Sequence, residues 1–469
     1  MIAKQPRPRV GLLALTLELY ESLKPDLREG REKWLRQQVL PALATVADVT
    51  FERAVYRRRD AEAAVAGFEA AGVDALLVIL LTYSPSQNSL PALKRTALPI
   101  VVWNTQELFG VDESFDGGTM VENHGVHGTQ DLANVLLRSG VKFRYVTSHL
   151  RDGGATRELG DFFAAAAAAR RLRSARLGLL GYPFPGMGDF ALDTTHMVAT
   201  LGCEWTALAM EDYINRAAGA DGKAVAALVK DYRAEYEVAP DLTEQDLAAA
   251  ARVELALRGM VADRKLDALT YQFLAFGEDV RTPTVPFVAA SRLMADGVGF
   301  GGEGDLIAAA GTALLNWLNP PASFTEVFTI DFAGNGLLMS HMGEANVAMA
   351  RSDRKVRLVA RAMPITRTRG RQLVLVTSFQ PGPATLCALT LGPAGRWRLV
   401  NSLLRIADFG PLEAMDVPHC KLTCECDVRD WLTRYATAGG PHHAALCFGD
   451  ARRRLRNLAQ LIDADCCEV

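Results

Sequence analysis

The chain has few cysteines for its length, and their spacing excludes some structural metal sites. The 469 residues include eight cysteines, at positions 203, 387, 420, 424, 426, 447, 466 and 467. They do not form the two separated CxxC pairs of a zinc ribbon, which is therefore not expected. The group formed by His419, Cys420, Cys424 and Cys426 could bind a soft metal. The alternation of Cys424 and Cys426 favours ordinary packing on one face of a strand instead.

Long apolar runs and runs of one charge are also absent. The formal net charge is −3 and the pI is near 6.3, which gives no general attraction to nucleic acid or to an anionic membrane. The segment 1–9 is too short for a secretory signal peptide, and its flanking residues do not fit one. The alanine-rich run at 162–169 ends in two arginines and predicts a packed helix rather than a membrane span. We therefore expect a cytoplasmic protein without nucleic-acid or membrane partners.

One basic cluster stands out from this mixed charge pattern, at residues 366–371. Its arginines alternate with threonine and glycine, which predicts a solvated turn between strands. A phosphate site is the alternative for this cluster.

The amino-terminal third alternates apolar runs with amphipathic segments. This pattern predicts a doubly wound parallel sheet, whose ligand crevice lies at the carboxyl ends of its strands. No GxGxxG follows the first strand, so a dinucleotide is not expected there. The predicted strands are 10–15, 49–51, 75–81, 100–103 and 143–147, and the predicted helices lie near 26–45, 60–71, 87–96 and 129–139.

A second α/β unit follows, with strands at 176–182 and 268–273 and a helix at 306–318. The Asn-Pro-Pro-Ala segment at 319–322 ends that helix. Beyond it the pattern changes to strands at 327–332, 356–363, 372–378, 385–391 and 397–403, with helices at 428–438 and 450–462. The fold class is therefore predicted as α/β: two doubly wound, Rossmann-like α/β domains followed by a β-rich, barrel-like domain. The predicted boundaries are 1–174, 175–321 and 322–469.

The glycine-rich loop at 292–305 places one carboxylate, Glu303, just before a helix. We expect Glu303 to lie beside free backbone N–H groups, which favour an anion. A metal ligand is one use for such a group. The alternative is a helix-entry turn that is rich in glycine only for steric reasons.

Three downstream residues extend this candidate site to two glutamates and two histidines: Glu326, His341 and His443. Oxygen and imidazole ligands without thiolate suit Mn²⁺ or Mg²⁺, with Co²⁺ or Zn²⁺ as alternatives, and they leave coordination positions for substrate oxygens. Taken separately, Glu326 also fits the exposed position of an alternating strand, and His341 fits a core histidine with its hydrogen bonds satisfied.

Four motifs occur in the order and approximate separation found in L-arabinose isomerases. They are the loop of Glu303, Ser-Phe-Thr-Glu at 323–326, Ser-His-Met at 340–342 and the Gly-Gly-Pro-His-His turn at 439–443. The chain resembles that family over nearly its whole length. The resemblance implies an aldose–ketose isomerase that works through a cis-enediol, with Glu303 and Glu326 as catalytic residues. They would also bind a divalent cation, first of all Mn²⁺ and otherwise Mg²⁺ or Co²⁺, together with His341 and His443.

The resemblance also implies a set of sugar contacts: Leu19, Tyr20, His124, His127, Met187, Phe276 and His442. For His442 the alternative is an exposed second histidine. Two positions depart from the family, because Leu17 and His124 stand where its members carry glutamine. Hydrogen bonding to sugar hydroxyls decides discrimination between sugars, so the substrate is L-arabinose or another aldose such as L-fucose, D-arabinose or D-galactose.

Family members form trimers stacked into hexamers, and each active site is completed by the amino-terminal domain of a neighbouring subunit. The resemblance therefore implies a homo-oligomer with a monosaccharide substrate. Two functions of other classes stay open from the residues alone. One is a sugar-binding protein without catalysis, and the other is metal-assisted hydrolysis through an activated water.

Overall fold

The computed structural model describes residues 6–277, 279–409 and 412–469. Residues 1–5 lie outside the described ranges. They are part of segment 1–9, for which the sequence predicted no secretory signal. The chain divides into two compact units, Pro6–Arg170 and Arg171–Val469. In the described ranges, no helix combines the length and apolarity needed to cross a membrane. The predicted boundaries near 174 and 321 stay predictions.

The first unit contains a five-stranded parallel sheet with the strand order β2-β1-β3-β4-β5. Its central strands are continuous apolar runs because both faces of a parallel sheet are covered. The strands are β1 (Arg9–Leu15), β2 (Asp48–Thr50), β3 (Ala75–Leu80), β4 (Ile100–Asn104) and β5 (Arg144–Thr147). The helices are α1 (Glu18–Leu23), α2 (Asp26–Trp34), α3 (Leu40–Leu43), α4 (Arg58–Ala71), α5 (Leu90–Arg95), α6 (Gly117–Glu122), α7 (Gly125–Arg138) and α8 (Ala155–Leu172).

The second unit begins with a four-stranded parallel sheet in the order β10-β9-β6-β7. Its strands are β6 (Arg176–Leu180), β7 (Glu204–Leu208), β9 (Ala268–Tyr271) and β10 (Gly299–Gly301), while β8 (Glu237–Val238) belongs to a separate small sheet. The helices are α9 (Thr194–Leu201), α10 (Met210–Ala218), α11 (Gly222–Glu235), α12 (Glu244–Arg264), α13 (Phe273–Gly277), α14 (Phe287–Ala295) and α15 (Leu306–Leu318). Almost every residue of α15 is buried, as its apolar sequence requires.

The remainder of the second unit is a closed antiparallel barrel. Neighbouring strands pair in the order β15-β18-β11-β12-β17-β16, and pairing of β15 with β16 closes the ring. The strands are β11 (Ala322–Asp331), β12 (Gly336–Ser340), β15 (Gly382–Leu391), β16 (Trp397–Ile406), β17 (His419–Thr423) and β18 (His443–Phe448). Closure leaves no open edge among these strands. The predicted fold class, including the barrel-like carboxyl-terminal part, is confirmed.

Further strands and helices of the second unit are not part of the ring of barrel strands. β13 (Arg357–Arg361) and β14 (Gln372–Val376) form a three-stranded sheet with β8, and β19 (Asp465–Glu468) pairs with β16 in parallel. Two helices, α16 (Val428–Thr437) and α17 (Arg452–Leu461), complete the unit. The basic cluster at 366–371 lies in the connection between β13 and β14, and its three arginines are exposed.

Two local predictions in the barrel are wrong. β17 ends at Thr423, so Cys424 and Cys426 follow the strand instead of sharing one of its faces, although both pack against the barrel core as predicted. Their carbonyl oxygens accept hydrogen bonds from the side-chain amide of Asn335, at 3.4 and 2.9 Å, rather than from a neighbouring strand. His443 was expected in a turn, but it is the first residue of β18.

Candidate metal and sugar site

Glu303 lies in the turn that follows β10, at the carboxyl edge of the second parallel sheet. Its backbone has the unusual φ of +59°, and Gly304 follows with φ +82°. A Cβ on Gly304 would lie 2.4 Å from the carbonyl oxygen of Tyr182, so only glycine fits there. The backbone N–H of Phe184 donates to the carbonyl oxygen of Glu303 at 2.9 Å. The loop after β6 therefore fixes the conformation of the Glu303 turn.

The carboxylate at the start of α15 belongs to Asp305, not to Glu303. Asp305 is the N-cap residue and accepts a hydrogen bond from the N–H of Ala308 at 2.8 Å. The expectation that Glu303 lies at these free N–H groups is wrong, because Glu303 precedes the cap by two residues. Sequence reasoning missed Asp305, although an aspartate directly before an apolar helix is a typical N-cap signal.

The barrel brings Glu326, His341 and His443 to one place. Glu326 on β11 pairs with His443 on β18 and, on its other side, with Ser340 on β12. His341 directly follows Ser340. Side chains of paired residues project from the same face of a sheet, so strand register sets the spacing of these groups.

Distances between ligand-type atoms show how closely the four predicted residues gather. Nε2 of His341 lies 3.7 Å from Oε2 of Glu326, and Nε2 of His443 lies 3.7 Å from Oε2 of Glu303. Two overlapping sets have ligand atoms within 4.8 Å of one another: Glu303, His442 and His443, and Glu326, His341 and His443. His443 is common to both sets, which joins the α/β part of the site to the barrel part.

The two barrel histidines are held in the orientation that metal ligands adopt. Nδ1 of His341 lies 2.8 Å from Oε2 of Glu344, and Nδ1 of His443 lies 2.9 Å from Oδ2 of Asp305. Each carboxylate can accept a hydrogen bond from Nδ1–H, which in the neutral imidazole leaves the lone pair on Nε2. Both Nε2 atoms are buried and have no hydrogen-bond partner among the described residues. A carboxylate behind each histidine is the usual support of a metal-binding imidazole.

Close packing restricts both imidazoles. The ring of Phe324 meets His341 and His443 edge-on, with centroid separations of 4.7 and 4.9 Å. A Cβ on Gly302 would lie 2.7 Å from Cε1 of His341, so the glycine loop touches the imidazole directly. The two imidazoles are therefore closely packed, which suits a preorganised site.

Burial and neighbouring charges shift the pKa values within the site. Burial lowers the pKa of His443 far below its ordinary value and keeps that imidazole neutral. Burial also opposes the charge of His341, but the carboxylates of Glu344 and Glu326 outweigh it and raise the pKa of His341. Burial raises the pKa of Asp305 to about 7. The hydrogen bond between His443 and Asp305 is thus deeply shielded from solvent.

His442 faces Glu303 from the other side. Its backbone N–H and its Nδ1 both contact Oδ2 of Asp189, at 3.1 and 2.5 Å. Its Nε2 is buried, has no hydrogen-bond partner in the part of the chain that the structure describes, and lies 3.8 Å from Oε2 of Glu303. Burial alone would lower the pKa of His442, but Glu303 and Asp189 raise it to about 9. Asp189 is a second residue that sequence reasoning missed, since no motif indicates its contact with His442.

Two other predicted sugar contacts of the second unit lie in different surroundings. Met187 is half-buried in the loop after β6, close in sequence to Asp189, and its N–H donates to the carbonyl oxygen of Phe184 at 3.3 Å. Phe276 is fully buried and packs edge-on against Tyr213 and Tyr271. A sugar contact by either residue stays a prediction.

The predicted contacts of the first unit form their own cluster. The hydroxyl of Tyr20 lies 2.6 Å from Nε2 of His124, and the rings of His124 and His127 have centroids 5.0 Å apart. His127 stacks on Tyr83, which follows β3. Leu19 is 57% exposed. This cluster lies where ligands bind in doubly wound sheets, beyond the carboxyl ends of the strands.

Comparison with known proteins finds two family models that match parts of the second unit. The family model of the L-arabinose isomerase central domain matches residues 192–319, and that of the L-arabinose isomerase C-terminal domain matches residues 321–465. The L-arabinose isomerase of Acidothermus cellulolyticus is 29% identical over 411 residues, which cover 84% of this chain and 80% of that protein. The L-arabinose isomerase of a Nocardioides species is 28% identical over 410 residues, with coverage of 82% and 79%.

Proposed function

This chain belongs to the L-arabinose isomerase family, and on that premise we propose that it is a metal-dependent aldose–ketose isomerase working through a cis-enediol. One observation carries the proposal: two carboxylates, Glu303 and Glu326, lie beside two buried imidazoles whose Nε2 atoms have no described partner. A site that only binds sugar needs hydrogen bonds, whereas this donor set suits a cation and proton transfer.

Glu303, Glu326, His341 and His443 would hold the metal ion. Two carboxylates and two imidazoles, without thiolate, favour Mn²⁺, with Mg²⁺ or Co²⁺ as alternatives. When bound, the ion would supply positive charge that stabilises negative charge developing on neighbouring sugar oxygens. Asp305 and Glu344 keep Nδ1 of the two imidazoles protonated and Nε2 free.

Glu303 and Glu326 would carry the two proton transfers of the reaction. Conversion of an aldose to a ketose moves one proton between C1 and C2 and one between the attached oxygens. Glu303 approaches from the loop after β10 and Glu326 from the barrel, so two carboxylates are available at one substrate. We assign the transfers to this pair jointly. His442, held by Asp189, would donate a hydrogen bond to a sugar oxygen.

The remaining sugar contacts come from the family pattern. We propose that Met187 and Phe276 line the site, and that Leu19, Tyr20, His124 and His127 reach the site of a neighbouring subunit in a trimer or hexamer. The exposed side chain of Leu19 supports such a contact, as does Nδ1 of His124, which has no hydrogen-bond partner within the described ranges. We also propose residence in the cytoplasm, which suits the eight free cysteines.

L-Arabinose is the first candidate substrate, because the relatives described above carry its name. Leu17 and His124 replace glutamines of the family pattern, so another aldose is the alternative. The test is to incubate metal-loaded protein with L-arabinose, L-fucose, D-arabinose and D-galactose and to measure ketose. Formation of one ketose supports the proposal and identifies the sugar. Sugar binding without any ketose would point to a binding protein instead.

A further inference from the structure

A second pocket lies between the three-stranded sheet and β17. Its volume is about 410 Å³, which is within the range of small-molecule sites. Its polar lining consists mainly of four basic side chains and two carboxylates: Arg351, Arg354, Lys355, Arg357, Glu237 and Glu413. None of these residues contributes to the proposed isomerase site.

Three of the four basic groups form no ion pair with a carboxylate among the residues that the structure describes. Arg351 forms ion pairs with Asp353 and Asp408, so its charge is compensated. Arg357 donates only to a carbonyl oxygen, that of Met415, at 3.1 Å. Arg354 and Lys355 form no ion pair with any residue in the described ranges. Positive charges that line one pocket without being tied into ion pairs repel one another and attract an anion.

The two carboxylates restrict which anion fits. Glu237 and Glu413 line the same pocket and would repel a bare anion, but they accept hydrogen bonds from hydroxyl groups. A ligand with a phosphate at one end and hydroxyls at the other satisfies both parts of the lining. We propose that this pocket binds a phosphate monoester of a polyol, such as a sugar phosphate. Arg354, Lys355 and Arg357 hold the phosphate, and Glu237 and Glu413 hold the hydroxyls.

This pocket is separate from the proposed metal site, although neighbouring strands connect the two. His419, in the pocket wall, pairs with Ser340 on β12, and Ser340 pairs with Glu326 on β11. Two strand spacings put the backbone of His419 about 10 Å from that of Glu326. Binding at the pocket can therefore be measured independently of binding at Glu303 and Glu326.

The test is calorimetric titration of the full-length, metal-loaded protein, freed of unbound metal, with glycerol 3-phosphate. Glycerol and inorganic phosphate are titrated in parallel. The variant is Arg354→Gln with Lys355→Gln, two exposed side chains whose replacement should leave the fold intact. The matched control is Arg367→Gln with Arg369→Gln, which removes the same charge from the exposed turn between β13 and β14.

We expect one glycerol 3-phosphate per chain to bind with a dissociation constant of about 1 mM or lower. The pocket variant should raise the dissociation constant at least about tenfold. The dissociation constant of the control variant should stay within about twofold of that of the unmodified protein. Glycerol should give no heat, and inorganic phosphate should bind more weakly than the ester. Absence of binding, equal losses in both variants, or equal affinity for phosphate and ester would overturn the proposal.

Discussion

Glu326 and His443 occupy paired positions on two neighbouring antiparallel strands, β11 and β18. The ladder between these strands fixes the spacing of the carboxylate and the imidazole, whereas Glu303 approaches from a loop of the parallel sheet. Groups carried by strands are held more tightly than groups on loops. The barrel therefore supplies the rigid half of the proposed site, and the strained turn at Glu303 completes it.

Replacing either carboxylate by its amide should abolish turnover without unfolding the protein. Glu303→Gln and Glu326→Gln keep the size of each side chain but remove the proton acceptor. Loss of a general acid or base lowers a rate about 10²- to 10⁴-fold, so we expect kcat to fall by at least about 10³-fold when metal binding is also weakened. Ketose formation measures the loss, and thermal unfolding checks the fold.

Glu204→Gln is the matched control for this pair, because Glu204 is an exposed carboxylate paired with Arg176 on the neighbouring strand. Its turnover should equal that of the unmodified protein. Substantial turnover in Glu303→Gln or Glu326→Gln would remove that residue from the proposed chemistry.

Asp305→Asn should weaken metal binding while keeping α15 intact. Asparagine still caps a helix, so the hydrogen bond from Ala308 can persist. The amide cannot give His443 the carboxylate acceptor that orients its imidazole. Loss of such a supporting group costs about 10- to 100-fold in metal affinity, measured by Mn²⁺ titration. Asp193→Asn makes the same change at the cap of α9 and should leave the affinity unchanged.

Restoring the glutamines of the family pattern should change sugar preference. Leu17→Gln with His124→Gln removes the contact between His124 and Tyr20 and adds amide groups near the proposed sugar-contact cluster. We expect the ratio of kcat/KM for L-arabinose to that for the preferred aldose to change by about tenfold or more. Unchanged ratios across the sugar panel would show that these positions do not contact the sugar.

Two glutamates that both contact Arg292 should contribute differently to the free energy of unfolding. Glu254 is fully buried and contacts Arg258, Arg292 and Tyr232, whereas Glu235 meets Arg292 at the surface. Glu254→Ala should lower the free energy of unfolding by about 3 kcal/mol, because it leaves buried positive charge without a partner. Glu235→Ala should cost less than about 1 kcal/mol. Urea unfolding measures both, and equal effects would contradict this explanation.

The sequence was sufficient to predict the elements and side chains that a local pattern or a short motif identifies. Apolar runs predicted the strands that became β1, β3 and β4, and helical spacing predicted the bounds of α15. Short motifs indicated Glu303, Glu326, His341 and His443, which the structure brings together. Their roles as ligands and catalysts stay predictions until metal binding and turnover are measured.

Groups that act through distant partners could not be predicted. Asp305 meets His443 and Asp189 meets His442 across long stretches of chain, and no local pattern encodes such contacts. The strand β17 is only five residues long and carries histidine and lysine, so its pattern was too weak to show where the strand ends. Cys424 and Cys426 were wrongly placed on the strand because its end at Thr423 was not recognised.

The most direct test of the central claim is Mn²⁺ titration of metal-stripped protein, with bound metal and ketose formation followed in the same samples. The account predicts no turnover without metal and activity that rises in proportion to one Mn²⁺ bound per chain. It also predicts that Glu326→Gln loses both signals together. Full turnover in the presence of a chelator, or bound Mn²⁺ that is unaffected by loss of Glu326, would contradict it.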